Sequence, residues 1–142
     1  MMISTRGRYA LRVMIDLAEH HNGSFIPLKE LSSRQEISLK YMEQIMSLLS
    51  QGNLLETAHG KGGGYRLAKD PSEYRVADIL RATEGSLEPV ACLEENAAPC
   101  ARSADCRTLP LWQKLSDAIR DCLESVTLAD LIKTDAPDNY VI

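Results

Sequence analysis

From Ser38 to Pro71 the chain reads SLKYMEQIMSLLSQGNLLETAHGKGGGYRLAKDP, and the order of signals in this stretch decides the fold. Ser38 is a good N-cap, because its side-chain oxygen can accept from an amide in the first helical turn. Met42, Ile45, Leu48 and Leu49 then recur on one side of a helix that Gly52 stops. The other side presents Lys40, Tyr41, Glu43, Gln44 and Ser47, a polar face close to the helix N-terminus. Two short apolar runs follow, around His59-Gly60-Lys61-Gly62-Gly63-Gly64. Glycines at a tip allow the positive φ angles of a tight hairpin, so this part predicts two strands and a turn.

Working outward, Ala10, Val13, Met14, Leu17 and Ala18 lie at helical spacing between Thr5 and His21, with Ser4 or Thr5 placed to cap. Asn22 and Gly23 break that helix, and Pro27 fits the start of a short one, PLKELSSRQ. Helix, short helix, capped helix and hairpin, in that order, make a winged helix-turn-helix. Beyond Pro71, YRVADILRATEG predicts another short helix ending at Gly85. LPLWQKLSDAIRDCLESV places Leu111, Leu115, Ile119, Cys122 and Val126 on one stripe, and TLADLI follows with Thr127 as its cap. The expected fold class is mainly α with a small β-hairpin wing. It divides into a winged helix-turn-helix domain over 1–85, a cysteine-containing loop over 86–110, a dimerisation helix with a short following helix over 111–133, and a tail over 134–142. The N-terminal helices close a small module, which leaves little of the same chain to cover the long stripe. Pairing with the same helix of a second subunit is the expected solution; docking on its own subunit is the alternative.

With 142 residues the chain can bury one working core without covalent staples. No run approaches the roughly 18 apolar residues of a membrane span, and the charged residues Arg12, Asp16 and Glu19 interrupt the layout of a secretory leader. A cytoplasmic, reducing location is expected, with no membrane partner. The net charge of −4 argues against a polyanion partner only on average. Residues 1–69 hold nine Lys/Arg against six Asp/Glu, and residues 70–142 seven against fourteen, so a basic half of +3 precedes an acidic half of −7. That split lets the N-terminal face meet a polyanion.

The helix from Ser38 is the candidate recognition helix, since the second helix of such a motif brings its N-terminal residues to base edges. Gln44 suits adenine, Glu43 suits the amino group of cytosine, and Ser38, Lys40 and Tyr41 suit phosphates or bases. A hairpin carrying His59, Lys61, Gly62 and Arg66 is narrow and cationic enough for a minor groove. GKGGG lacks the order of a phosphate-binding loop and precedes a strand, so that reading is set aside.

Cys92, Cys100 and Cys106 fall in a segment with almost nothing apolar to bury. Their C-x7-C-x5-C spacing is too wide for zinc knuckles and suits a loop wrapped around an iron–sulfur cluster, of two-iron or four-iron type. Unliganded thiols acting as a redox switch are the alternative. Cys122 lies on the apolar stripe and reads as a small core residue.

ISTRGRYALRVMIDLA, SLKYMEQIMSLLSQGNLL, GKGGGYRLAKDPSEYRVADILRATEG and LPLWQKLSDAIRDCLESVTLADLI together cover nearly the whole chain. They resemble the iron–sulfur cluster regulator (IscR) family, the Rrf-two-type winged-helix repressors of bacteria, which include nitric-oxide-sensing and cysteine-metabolism branches. The resemblance implies a homodimer paired through the long helix, a palindromic double-stranded DNA operator, and a cluster held by Cys92, Cys100 and Cys106. It also marks departures. The family's two-iron members have a histidine where this chain has Leu109, and the nitric-oxide-sensing branch has an aspartate where this chain has Arg8. Asp105, Glu94, Glu95 or an exogenous ligand are the remaining candidates for a fourth ligand. The cysteine-metabolism branch lacks the three cysteines. The expected function is a dimeric DNA-binding regulator, a repressor, whose operator binding answers to the cluster and so to iron, redox or nitric-oxide status. A redox or iron–sulfur carrier is the rival, and it would leave the Ser38 helix and the hairpin without a purpose. No catalytic constellation is present in the sequence, so the chain is not expected to be an enzyme.

Overall fold

A computed structural model describes residues 3–132. Helix α1 (Thr5–Glu19) starts on Ser4, whose Oγ accepts from the Gly7 amide at 3.1 Å, and buries Ala10, Val13, Met14, Leu17 and Ala18. Helix α2 (Leu28–Gln35) ends on Glu36 in the left-handed region, at φ 55°. Helix α3 (Leu39–Gln51) is capped by Ser38, with 3.2 Å from Oγ to the Tyr41 amide. Its buried side is Met42, Ile45, Met46 and Leu49. Leu48, expected in that set, is only half-buried. At 3.6 residues per turn, positions 42, 45, 46 and 49 share one arc and 48 falls beside it.

Strands β1 (Leu55–Ala58) and β2 (Gly64–Leu67) pair antiparallel, from Leu55 opposite Leu67 to Ala58 opposite Gly64. A third segment joins them: Ile26 and Tyr65 exchange backbone hydrogen bonds of 2.8 and 2.9 Å. Gly64, at φ 148°, permits this approach, since a Cβ there would stand 2.1 Å from the Ile26 carbonyl oxygen. The wing is thereby tied to the loop between α1 and α2.

After a 3-10 turn at Pro71–Glu73, helix α4 (Val76–Glu84) ends on Gly85 at φ 79°, where the chain enters the cysteine segment. Helix α5 (Leu109–Ser125) starts two residues before the expected Leu111, because Pro110 is well suited to a first turn. It ends before Val126, which was expected on its stripe but has extended backbone and gives its carbonyl to the Val76 amide at 2.9 Å. Helix α6 (Leu128–Ile132) then packs on α1. Its Leu128 is fully buried in the core, and its amide bonds to the Tyr74 carbonyl at 3.0 Å. The short helix assigned by sequence to the dimerisation segment 111–133 therefore packs with the N-terminal helices, held there by non-local contacts that local periodicity does not encode. The predicted tail over 134–142 lies outside the described residues. Among those described, no helix is long and apolar enough to cross a membrane.

Asp16, buried on α1, receives Arg34 at 2.6 and 3.1 Å and Gln35 at 2.8 Å, fixing α2 against α1. Burial alone would raise its pKa, but the hydrogen bonds and charge of Arg34, with Gln35 and His20, hold the carboxyl below its ordinary value. The placement of α6 is checked by Leu128→Ala. Emptying a fully buried leucine site should cost about 2–5 kcal/mol, read as a lowered urea midpoint of the whole head; a loss confined to local fraying would show that α6 is dispensable.

Candidate nucleic-acid interface and cysteine segment

Ser38, Lys40, Glu43, Gln44 and Ser47 are all exposed, on the side of α3 opposite its core stripe. Tyr41 is half-buried, its ring edge-on to Tyr9 of α1 with 5.9 Å between centroids. An open groove of about 530 Å³ runs along the face, lined by Lys40, Glu43, Gln44, Ser47, Leu48 and also Arg6 of α1. Arg6 was not singled out by sequence; the signal available was three arginines, Arg6, Arg8 and Arg12, within one helical start.

The wing tip exposes His59, Lys61 and Gly62, with Gly60 at φ 82° and Gly62 at φ 79° making the turn. Arg66 sits elsewhere. On β2 its Nε donates to Glu56 at 2.7 Å, Nη1 donates to the Gly23 carbonyl at 2.6 Å, and the guanidinium lies 4.2 Å over the Phe25 ring. The residue read as a groove cation is thus engaged in anchoring the wing. A sorting of charge accompanies this. Arg34, Arg66, Arg81 and Arg120 each have a carboxylate partner, whereas among the described residues none lies within ion-pair distance of Arg6, Arg8, Arg12, Lys40 or Lys61.

On α5, Leu111 and Leu115 remain 55% and 40% exposed, Cys122 is exposed and Ile119 half-buried. The other side of the helix is tied to its own chain: Glu124 to Arg81 of α4 at 2.9 Å, and, in the cysteine segment, Glu88 to Arg120 at 3.5 Å and accepting from Ser116. Leu111, Leu115 and Cys122 therefore face away from their own core, while Ile119 turns partly towards Arg81 and Glu88, with which it lines a cavity. Val126 stands apart from the stripe, at the docking point on α4.

Cys92 lies in a 3-10 turn (Ala91–Leu93), Cys100 opens a turn closed by the Ser103 amide at 3.0 Å, and Cys106 precedes α5. All are free thiols, and among the described residues no three His, Cys, Asp or Glu side chains converge as a metal site. The Cys106 Sγ is 3.5 Å from the Thr108 hydroxyl. That hydrogen bond first, then the amides of Thr108 and Leu109, pushes the thiol below its ordinary pKa, towards the thiolate that binds metal. Between Glu94 and Asp105 the backbone bonds are short turns, so gathering the three thiols would disrupt no helix or strand. The donor set fits a thiolate-held iron–sulfur cluster. Leu109 opens α5 and Arg8 is exposed on α1; neither side chain can ligate.

The sequence model of the Rrf2 family, described as an iron-dependent transcriptional regulator, matches residues 3–134. The chain is 37% identical over 142 residues to the HTH-type transcriptional regulator IscR of Vibrio atlanticus (strain LGP32), spanning 100% of this chain and 79% of that protein. It is 39% identical over 132 residues to the IscR of Photorhabdus laumondii, spanning 93% and 79%. Among solved structures it is similar to CymR (YrzC), the global cysteine regulator of B. subtilis, at 36% identity and TM-score 0.74, over 93% of this chain and 96% of that one. The T. potens IscR matches at 30% identity and TM-score 0.74, over 100% and 93%.

Gly64→Ala tests how the wing is placed. The added methyl collides with the Ile26 carbonyl, so the Ile26–Tyr65 pairing should open, at a cost of about 1–3 kcal/mol for a residue in such backbone. Faster hydrogen exchange at the Ile26 and Tyr65 amides is the expected readout; unchanged exchange would show that the pairing does not need this glycine.

Proposed function

The chain belongs to the Rrf2 family of transcriptional regulators, and we propose that it acts as a homodimer reading a two-fold symmetric operator, under the control of an iron–sulfur cluster on Cys92, Cys100 and Cys106. The family makes it a DNA-binding regulator and not an enzyme. The observation that carries the finer reading is the polar face of α3, with Glu43 and Gln44 clear of the core and cations without carboxylate partners beside it. Gln44 and Glu43 offer the bidentate and acceptor groups that distinguish bases. Lys61 and His59 at the wing tip suit the negative minor groove. Ser38 is doubly placed, capping α3 and facing outward with Lys40.

Dimerisation is supported by the uncovered Leu111, Leu115 and Cys122 on one stripe of α5, with half-buried Ile119 at its edge. Two-fold pairing through α5 covers the same patch on both subunits and sets two α3 helices on one face of the duplex, about one helical turn apart. Repression follows if such a dimer sits on a promoter. Three soft thiolates supply redox-labile iron ligation when the cluster is bound. The likeness to CymR supports the reading head; the three-cysteine segment favours a cluster regulator over a cysteine-metabolism repressor.

Two experiments test this. Protein purified without oxygen should be brown, with iron and acid-labile sulfide in equal amounts, and Cys92→Ser, Cys100→Ser and Cys106→Ser should each lose most of the colour while Cys122→Ser keeps it. In operator selection, Gln44→Ala should alter the bases tolerated by about 1–3 kcal/mol per missing pairing, while Lys61→Ala should weaken all sequences alike. Iron-free protein that selects the same operator with the same affinity would remove the cluster from control. Separately, Leu115→Asp should shift sedimentation from dimer to monomer, because a charge on the paired stripe would have to be desolvated; a dimer of unchanged strength would place the interface elsewhere.

A further inference from the structure

On the reading that α3 meets DNA, we propose that Arg6 of α1 is a further DNA-contacting residue: a cation that grips backbone phosphate beside the base-reading side chains and is aimed by the Thr83 carbonyl. Three observations converge on it. Arg6 is exposed and lines the same groove as Lys40, Glu43, Gln44 and Ser47, so phosphate at the edge of a duplex lying on that face comes within its reach. Its Nη2 donates to the Thr83 carbonyl oxygen at 2.8 Å, which fixes the direction of the guanidinium. That partner is a neutral acceptor and uses one of the five guanidinium N–H donors. Among the described residues Arg6 has no carboxylate within ion-pair distance, so it keeps its full charge and spare donors.

Contrast with Arg66 sharpens the assignment. Arg66 is oriented by Glu56, and its charge is matched by that carboxylate. Arg6 is oriented without being neutralised, the condition a phosphate ligand needs: a preorganised fork on which little further entropy is lost.

The anchor also has a position in the chain. Thr83 lies in the last turn of α4, just ahead of Glu84 and Gly85, where the cysteine segment begins. Glu84 itself accepts from the Ser4 hydroxyl and, at 3.4 Å, from the Ser4 amide. Gly7 leaves room for that carboxylate, since a Cβ there would lie 2.3 Å from Glu84 Oε1. The start of α1 and the end of α4 are therefore one unit, and Arg6 projects from it onto the DNA-reading groove.

The test is the salt dependence of binding by the full chain to a mixed-sequence DNA duplex. Removing one cation from a phosphate should lower the slope of log K against log salt by about 0.9, so Arg6→Ala in a dimer should flatten it by about twice that. Arg6→Lys should restore most of the slope, since it keeps the charge. An Arg6→Ala protein that binds more weakly with the parental slope would make Arg6 a packing residue and overturn the inference, as would a variant indistinguishable from the parent. A parent chain that itself fails to bind duplex at low salt would overturn the reading of α3 as well.

Discussion

The hydroxyl of Tyr74 joins the parts of the molecule on which everything else is mounted. It donates to the Leu54 carbonyl at 2.6 Å, at the exit of α3, and accepts from the Ala68 and Lys69 amides at 2.9 and 3.3 Å, at the exit of the wing. The same residue's carbonyl takes the Leu128 amide, and its ring, fully buried, lies 5.0 Å beneath the Lys69 ammonium. Helix α3 and the wing are thus referred to one side chain, and the returning C-terminal helix to the backbone of the same residue. Burial pushes the phenol pKa up, so it stays a neutral donor. A buried polar group robbed of its partners costs about 1–3 kcal/mol, which makes this node a strict constraint.

Charge is distributed on the same frame in two ways. Arginines that hold elements together are neutralised: Arg34 joins α2 to buried Asp16, Arg81 joins α4 to Glu124 of α5, and Arg66 fixes β2 to β1 and to the loop at Gly23. Cations around α3 and at the wing tip lack carboxylate partners among the described residues. Exposed ion pairs add little stability; their effect here is to decide where positive charge remains. The basic surface is the remainder after structural pairing, and it falls beside Glu43 and Gln44.

Much of this was legible in the sequence, for reasons that also mark the limit. α1 and α3 were readable because their buried stripes repeat at the helical period and Ser4 and Ser38 announce their starts. The wing was readable because only glycine takes the tip conformation easily. The role of α6 was not, because five residues carry too little periodicity and its burial depends on α1 and Tyr74, far away in the chain. Ile26 joining β2 and Arg66 turning to Glu56 are likewise decided by tertiary approach. Cysteine spacing suggested a shared ligand, but an irregular segment contains no local rule for where its thiols stand.

The return of the chain at Val126 bears on how the cysteine segment can act. The ties of α5 to α4 run through Glu124 on Arg81 and then the Val126 carbonyl on the Val76 amide, at or beyond the last turn of the helix, whereas Ser116 and Arg120 in its middle hold Glu88 of the cysteine segment itself. The first turns of α5 carry Leu111 and Leu115 outward and follow directly on Cys106. At the other boundary of the segment, Glu84 clamps the end of α4 to the start of α1. The segment between Gly85 and Thr108 therefore has a clamped entry, a second anchor where Glu88 meets Ser116 and Arg120 in the middle of α5, and an exit into the first turn of that helix, so its thiols lie on the stretch between the anchor and the exit.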